Sequence, residues 1–541
     1  MGLIDRRIGI LVCWSASFWA MAQVSTAPQQ AAPPKMASAR YEPPKADLRL
    51  VSATEREDWA TVQELLQKTV QELLQKGIAV NVQGPDGSTA LLWASHNRSL
   101  EVVRSLIAAG ADPNRANLYG ISPLLEACRQ GNAAIALVLL SAGANPSQPG
   151  PEGETPLMAA SASGNLEIVQ KLMAIGVEVN AKESVQDQNA LMWASEAGHI
   201  EVVRALLAAG ADSNAIARPN SLPRVGRLDA GRMWVDHSSG GLSTLMFATR
   251  QGRLDVAREL VKAGANLNYA NPDGVTALMI AVINDQLDVA GMLLESGANP
   301  NDGSLYETVL LHNLRMNSTA GDATRPRPAH ENRTTPLDVM AKLLAAGADP
   351  ERLASHSLHI DGTGTPGPVK NSALWLALMA EDVVALRLFL TKGADPSRLL
   401  DNGETPLMAA IQGGGPVGGF GFGVPPGAYR YLDSHDPIDA VGLLLDAGAD
   451  VKAVTASGDT AMHSAAQAGN LAVIRLLADR GASVTAKDNA GLTPLDFAMG
   501  KRPPGANSGR PRGGPEGRGG GPRPEALALL RQLMGLPEEQ Q

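Results

Sequence analysis

The chain has 541 residues, of which 44% are apolar, 4% aromatic and 19% charged, with a formal net charge of -9. That acidic balance argues against a nucleic-acid binder as a whole, and so small an aromatic share means that any core is built of Ala, Leu, Val and Met. A compact chain of this length divides into several domains, whereas a stack of small units grows by addition.

Residues 1–22 begin with Arg6 and Arg7, continue through an apolar run over 8–21 and offer Ala20, Met21 and Ala22 as a small-residue cleavage site. This is the pattern of a secretory signal peptide, and it sets the expected location as periplasmic or extracellular. The run is shorter than the roughly 20 residues of a spanning helix, so no stable membrane span is expected. Loss of Asp5, Arg6 and Arg7, together +1, takes the charge from -9 to -10. Cys13 leaves with this segment and Cys128 remains, so the processed chain can close no internal disulfide. Cys128 falls at a small, buried helix position and reads as a packed thiol.

Residues 23–46 place Pro28, Pro33, Pro34, Pro43 and Pro44 among Ala, Gln and Ser, which predicts a flexible linker. Folding is expected from 47 onward. TVQELLQK at 61–68 recurs unchanged at 69–76, and eight extra residues lengthen a helix by roughly 12 Å and rotate its stripe by about 80°. A protruding terminal helix is expected, with a tandem duplication and a dimer contact as its two explanations.

The stretch 189–214, NALMWASEAGHIEVVRALLAAGADSN, contains the pattern that the rest repeats. Leu191, Met192 and Ala194 give one apolar helix face before Gly198, and Ile200, Val203, Leu206 and Leu207 give a second before Gly210. Neither helix is long enough to be stable alone in water, so each unit needs neighbours above and below. The glycine closing each second helix recurs as Gly77, Gly110, Gly143, Gly176, Gly210, Gly264, Gly297, Gly347, Gly393, Gly448, Gly481 and Gly535, twelve units in all. Their spacing is 33 or 34 residues except where an insertion intervenes, and such a period marks a mainly α solenoid.

With GETPLMAASASGNLEIVQKLMAIG at 153–176, GETPLMAA at 403–410, GDTAMHSAAQAGNLAVIRLLADRGA at 458–482 and AGLTPLDFA at 490–498, the chain resembles the ankyrin-repeat family. The resemblance covers most of 47–535 and implies stacked helix-turn-helix units with short β-hairpin fingers, followed by a polar tail at 536–541. The sequence departs from the family's Thr-Pro-Leu-His motif at the histidine, kept as His463 and replaced by Met158, Met192, Met279 and Met408; the expected consequence is a lost local hydrogen bond in an unchanged fold. Trp93, Trp193 and Phe247 fall where the family places leucine, which predicts core positions.

Insertions are expected near 219–239, 317–335, 354–372, 413–437 and 501–524, where loops can leave the stack without breaking it. Those at 317–335, 413–437 and 501–524 lie between the two helices of a unit, the other two on the finger side. Pro336 suits the first position of the helix that follows, where its missing donor is harmless.

Catalytic and cofactor motifs are absent from this reading. His356 and His359 have the spacing of a metal pair but no third ligand at a convincing distance in sequence, and they read as exposed loop residues. Gly362-Thr363-Gly364 has no strand before it and no lysine after it, so it is not a phosphate loop. His199 and His463 sit at repeat positions. No catalytic residue, metal or cofactor is assigned, and the chain is not expected to be an enzyme.

Recognition has three candidates. The resemblance implies that fingers and first helices form a concave binding face, whose variable positions here include Tyr119, Ile121, Arg129, Gln130, Glu196, Leu242, Arg250, Gln251, Ile283 and Asn284. Exposed aromatic residues beside a turn often anchor a protein partner, and packing on the next finger is the competing fate. The loop 413–437 concentrates Phe420, Phe422, Tyr429 and Tyr431, four of only twelve Phe and Tyr, which suits either a gripping edge for protein or saccharide, or a pin holding the loop on the stack. The segment 501–524 carries a local charge of +5, fit for an anionic surface or for a solvated loop. The expected function is that of an exported scaffold or adaptor that binds a protein partner through its concave face. The rival is a saccharide-binding protein or enzyme with a site assembled from the inserted loops.

Overall fold

A computed structural model describes residues 49–58, 60–61, 80–219, 240–314, 331–353, 372–400, 403–412, 437–501 and 522–537. The predicted signal peptide, the linker, the duplicated 61–76 beyond Thr61, most of each inserted segment and the last four residues lie outside this set. So do His356, His359, Phe420, Phe422, Tyr429 and Tyr431.

A first helix starts wherever a Ser, Thr or Asn in extended conformation can cap it. Thr89, Ser122, Thr155, Asn189 and Thr276 accept from the backbone N–H three residues on, at 3.0–3.2 Å, meeting one of the donors a helix start leaves unpaired. Among the described residues the first helices are α1 (Arg49–Glu55), α2 (Ala90–His96), α4 (Pro123–Arg129), α6 (Pro156–Ser163), α8 (Ala190–Ala197), α10 (Thr244–Arg250), α12 (Ala277–Ile283), α14 (Ser304–Leu314), α16 (Ala373–Met379), α18 (Pro406–Gln412), α20 (Ala461–Ala468) and α22 (Pro494–Ala498). The second helices described are α3 (Leu100–Ala108), α5 (Ala133–Ser141), α7 (Leu166–Ile175), α9 (Ile200–Ala208), α11 (Leu254–Lys262), α13 (Leu287–Glu295), α15 (Pro336–Ala345), α17 (Val383–Thr391), α19 (Pro437–Asp446), α21 (Leu471–Asp479) and α23 (Pro524–Leu533). Closing glycines follow these second helices from Gly110 to Gly535, all with positive φ, while the stretch before Gly77 lies outside the described residues.

Each first helix packs on the first helices before and after it, and each second helix on its own kind, so the two sets form two layers. One large hydrophobic cluster runs between them from Ala53 to Leu530, and Met192, Ala215, Ala217 and Phe247 form a small second one. In α9, for example, Val202, Val203 and Leu206 are buried, and each such side chain contributes about 1.5–3 kcal/mol. Cys128 is fully buried, and burial pushes its thiol pKa far up, so it is packed and inert.

The fingers are slighter than hairpins. Among the described residues they hold isolated antiparallel bridges, such as Gln83 to Thr89, Ala270 to Thr276 and Val454 to Thr460, in place of paired strands. What stiffens them is contact with the next finger: Leu118 N–H donates to Asp86 O at 3.0 Å, and Asn489 N–H to Ser457 O at 2.9 Å.

A second tie runs along the edge where second helices end. Four residues after six of the closing glycines stands an asparagine whose amide reaches the following unit. Asn114 donates to Gly143 O (3.0 Å) and accepts from Asn145 N–H (2.6 Å). Asn214 repeats this on Gly264 (3.1 Å) and Asn266 (2.7 Å), and Asn301 on Gly347 and Asp349, both at 3.0 Å. Ser147 holds the same register and is too short to repeat it.

Three inserted segments leave through necks that the fold closes. Pro219 bridges Gly240, Leu353 bridges Ser372, and Arg523 N–H donates to Ala498 O at 2.7 Å. The helices on either side of the segments at 315–330, 413–436 and 502–521 still pair with each other. Pro336 opens α15 with Thr335 as its cap.

The histidine motif behaves differently from expectation in one respect. His463 Nδ1 accepts from Thr460 N–H at 3.1 Å, and its Nε2 lies 3.2 Å from Leu492 O. At two methionines in its place the bond weakens without vanishing: Thr155 N–H reaches Met158 Sδ at 3.5 Å, and Ser243 N–H reaches Met246 Sδ at 3.4 Å. Sulfur is a weak acceptor, but it stands in the right place.

Candidate partner-binding face

The candidate positions fall at the C-terminal ends of first helices and at the fingers, and the fold draws many of them into polar chains between units. His96 Nδ1 meets Glu126 Oε1 at 2.8 Å, and Gln130 Nε2 donates both to Glu126 Oε1 (2.7 Å) and to His96 O (2.8 Å). Arg98 Nε completes the group on Gln130 Oε1 at 2.5 Å. The Glu126 hydrogen bond raises the pKa of His96 above its ordinary value, burial working against it. Burial also pushes Glu126 up, but bonds from His96 and Gln130 outweigh it and leave the carboxyl below the usual range.

Arg129 is held from the following finger. Its Nε lies 3.0 Å from Glu154 Oε2, and Nη2 bonds the same oxygen. The glutamate keeps the guanidinium pKa high although burial pulls it down. Glu196 gathers two more candidates across the inserted 220–239: Arg250 Nη2 at 2.6 Å and Gln251 Nε2 at 3.3 Å. Arg250 also lies over the ring of Phe247, 5.3 Å from its centre. Nothing in the sequence pairs Glu196 with Arg250, because 54 residues separate them; the period does, once the insertion is looped out.

The apolar candidates divide. Leu242 and Ile283 are half-buried and lean on the core. Ile121 is half-buried, with its N–H held by Asn117 Oδ1 at 3.0 Å. Asn284 folds back on Ile280 O at 2.9 Å. Tyr119 stands out into solvent, 66% exposed, beside Leu118 at 77%. Leu118 was not singled out from sequence, although other fingers place Pro85, Pro151 or Pro272 there. Phe247 is buried as expected, while Trp93 and Trp193 are half-buried; the indole N–H of Trp193 donates to Gln188 Oε1 at 2.8 Å.

Among the described residues no group of three His, Cys, Asp or Glu is placed to hold a metal ion. Among them also, no helix is long and apolar enough to cross a membrane. The arrangement offers backbone-anchored fingertips and a polar helix-end surface, which suit recognition.

A family model described as ankyrin repeats (3 copies) matches residues 59–150, 144–217, 226–304 and 432–505, more than half of the chain. Similar curated proteins include the ankyrin repeat and KH domain-containing protein mask of Drosophila melanogaster, 35% identical over 129 residues, or 23% of this chain. Inversin of Mus musculus is 41% identical over 83 residues, 15% of this chain, and ankyrin repeat and SOCS box protein 16 of Mus musculus 34% over 112 residues, 21% of this chain. The chain spans only 3%, 8% and 22% of the lengths of these three proteins. Among solved structures, the human ASB11 ankyrin repeat domain matches with a TM-score of 0.36 and 24% identity, covering 46% of this chain and 96% of that one.

Proposed function

This chain belongs to the ankyrin-repeat family, and from that premise we propose that it is an exported scaffold or adaptor that holds another protein against its fingers and first-helix ends. Ankyrin repeats are generally protein–protein interaction modules and typically not enzymes. The observation that carries the reading is the pair Leu118 and Tyr119, two large apolar side chains in solvent on a finger whose backbone is tied to the preceding finger and closed on itself by its own turn. Side chains so exposed contribute nothing to the core and are available to a partner. Export rests on the signal-peptide pattern of residues 1–22.

The rival reading needs the inserted segments to converge on one pocket. The necks at 219/240 and 353/372 lie at the finger ends of first helices, and those of 315–330, 413–436 and 502–521 at the opposite ends. Loops leaving from opposite ends of the same layer are poorly placed to share a site.

The test is a pull-down from the exported fraction of native cells with residues 23–541 as bait, beside a variant carrying Tyr119→Ala and Ile121→Ala and one lacking 413–437. A partner captured by the wild type and lost with the paired substitution supports the adaptor. Loss with the deletion alone moves recognition to the insertions, and absence of any protein partner removes the reading.

A further inference from the structure

The Leu118 and Tyr119 fingertip carries information about the partner's chemistry as well as its docking site. At the same two positions the neighbouring fingers carry Pro85 with Asp86 and Pro151 with Glu152, of which Pro85 and Glu152 are exposed and Asp86 and Pro151 half-buried. Only the finger of unit three among these presents a large apolar pair, 77% and 66% exposed. Its backbone is set in advance. Leu118 N–H donates to Asp86 O at 3.0 Å, Tyr119 N–H donates to Asn117 Oδ1 at 3.0 Å, and Gly120 makes the turn at φ +79°. A ligand meeting this tip has little main-chain ordering left to oppose it.

The flanks are acidic. On one side, Asp86 is fixed by Ser88, which donates from N at 2.9 Å and from Oγ at 2.6 Å. On the other, Glu152 is exposed on the following fingertip, which the Tyr119 turn touches: a Cβ on Gly120 would lie 3.7 Å from Pro151 N. Nearby cations are largely matched, with Arg129 on Glu154 and Arg98 in the His96, Glu126 and Gln130 group; Arg115 belongs to the same finger, three residues before Leu118. Residues 80–219 carry 13 carboxylates against 8 Lys and Arg, a net charge of -5 in the units around the tip.

We propose that this fingertip receives an apolar side chain from a protein segment that bears Lys or Arg on both sides of it, Asp86 and Glu152 facing those cations. The inference rests on the protein-binding reading above and adds the class of partner segment. Charge complementarity makes the choice: an acidic segment would meet two carboxylates at the tip, and a neutral one would leave them without a counterpart.

The test is selection of a phage-displayed random dodecapeptide library on residues 23–541, followed by fluorescence polarisation with the recovered peptides synthesised singly. The expected peptides share an aliphatic or aromatic residue bracketed by Lys or Arg. Their affinity should fall at least tenfold when Leu118→Ala and Tyr119→Ala are combined, and about threefold with Glu152→Gln. It should also weaken between 0.1 and 1 M salt, as the screening length drops from about 10 to about 3 Å. The substituted side chains are exposed, and an unchanged melting curve confirms that the variants fold. Neutral or acidic peptides, peptides indifferent to the tip substitutions, or no recovered peptide at all overturn the proposal. Basic or other peptides lost instead on Arg250→Ala with Gln251→Ala overturn it while leaving the protein-binding reading in place.

Discussion

Replacing Asn214 by alanine removes a single rung between two units. The side chain donates to Gly264 O at 3.1 Å and accepts from Asn266 N–H at 2.7 Å, at an exposed edge where water takes over once the amide is gone. Each lost bond therefore counts near the low end of ~0.5–1.5 kcal/mol, and the two together come to about 1 kcal/mol. Stacked repeats couple to their neighbours, so the loss stays at the interface of units five and six. About 1 kcal/mol is about fivefold in an opening equilibrium. Native-state hydrogen exchange read by mass spectrometry should show roughly that acceleration in α9 and α11 and none in α21. Asn114→Ala is the same operation where no insertion intervenes, with its bonded partners 29 and 31 residues away instead of 50 and 52. The two effects should match, because the rung acts through space. Ser147→Asn supplies a missing rung toward Gly176 and Glu178 and should slow exchange in α5 and α7. An Asn214→Ala effect below twofold, or one spread over the whole chain, would refute this reasoning.

Gly87 and Gly110 have nearly equal left-handed backbones, φ +80° and +86°, but a Cβ at Gly87 would lie 2.8 Å from Leu118 N and one at Gly110 meets nothing within 4 Å. Alanine at Gly110 should cost about 1 kcal/mol, and at Gly87 about 1–3 kcal/mol more through displaced packing, with exchange in α4 reporting the difference. His463→Met should destabilise unit eleven by about 1–2 kcal/mol, since Thr460 keeps only a sulfur acceptor and Leu492 O loses its contact; pulse proteolysis near α20 measures it. The hydrogen bond from Lys501 holds Asp496 down to about 2, against slight burial and with help from Thr493. A depressed carboxyl binds fewer protons folded than unfolded, so its contribution is complete above about pH 4 and fades as pH falls through about 2. Lys501→Ala should move that acid loss of α22 upward in pH, seen as faster exchange than wild type at pH 3.

Much of this fold is legible in the sequence because its determinants are local. Gly198 at φ +88° ends α8, Asn189 caps it, and both can be read within one unit. The rungs are half legible: Asn81, Asn114, Asn180, Asn214, Asn268 and Asn301 recur at one register, but what they bind lies a full period away and is known only once the units stack. The candidate face divides the same way. Tyr119 stood out as an aromatic residue beside a turn, whereas the grip of Glu154 on Arg129 and of Glu196 on Arg250 depends on neighbouring units. Met246 takes the histidine's place as well, and what shows it is the contact of its sulfur with Ser243 N–H. The predicted hairpin fingers shrink to single bridges because each finger spends its remaining backbone groups on its neighbour or on its own turn, as Asn117 does with Tyr119 and Ile121.

The most direct test of the binding claim is site-specific photocrosslinking in the native host. The photoreactive residue p-benzoylphenylalanine replaces Tyr119 in one variant and Val384 in another, the latter 49% exposed on second helix α17 and so away from the fingers. Crosslinking from Tyr119 to a discrete protein in the exported fraction, with none from Val384, is the expected result. The same adducts from both positions, or from Val384 alone, would contradict a partner held by the fingers and first-helix ends.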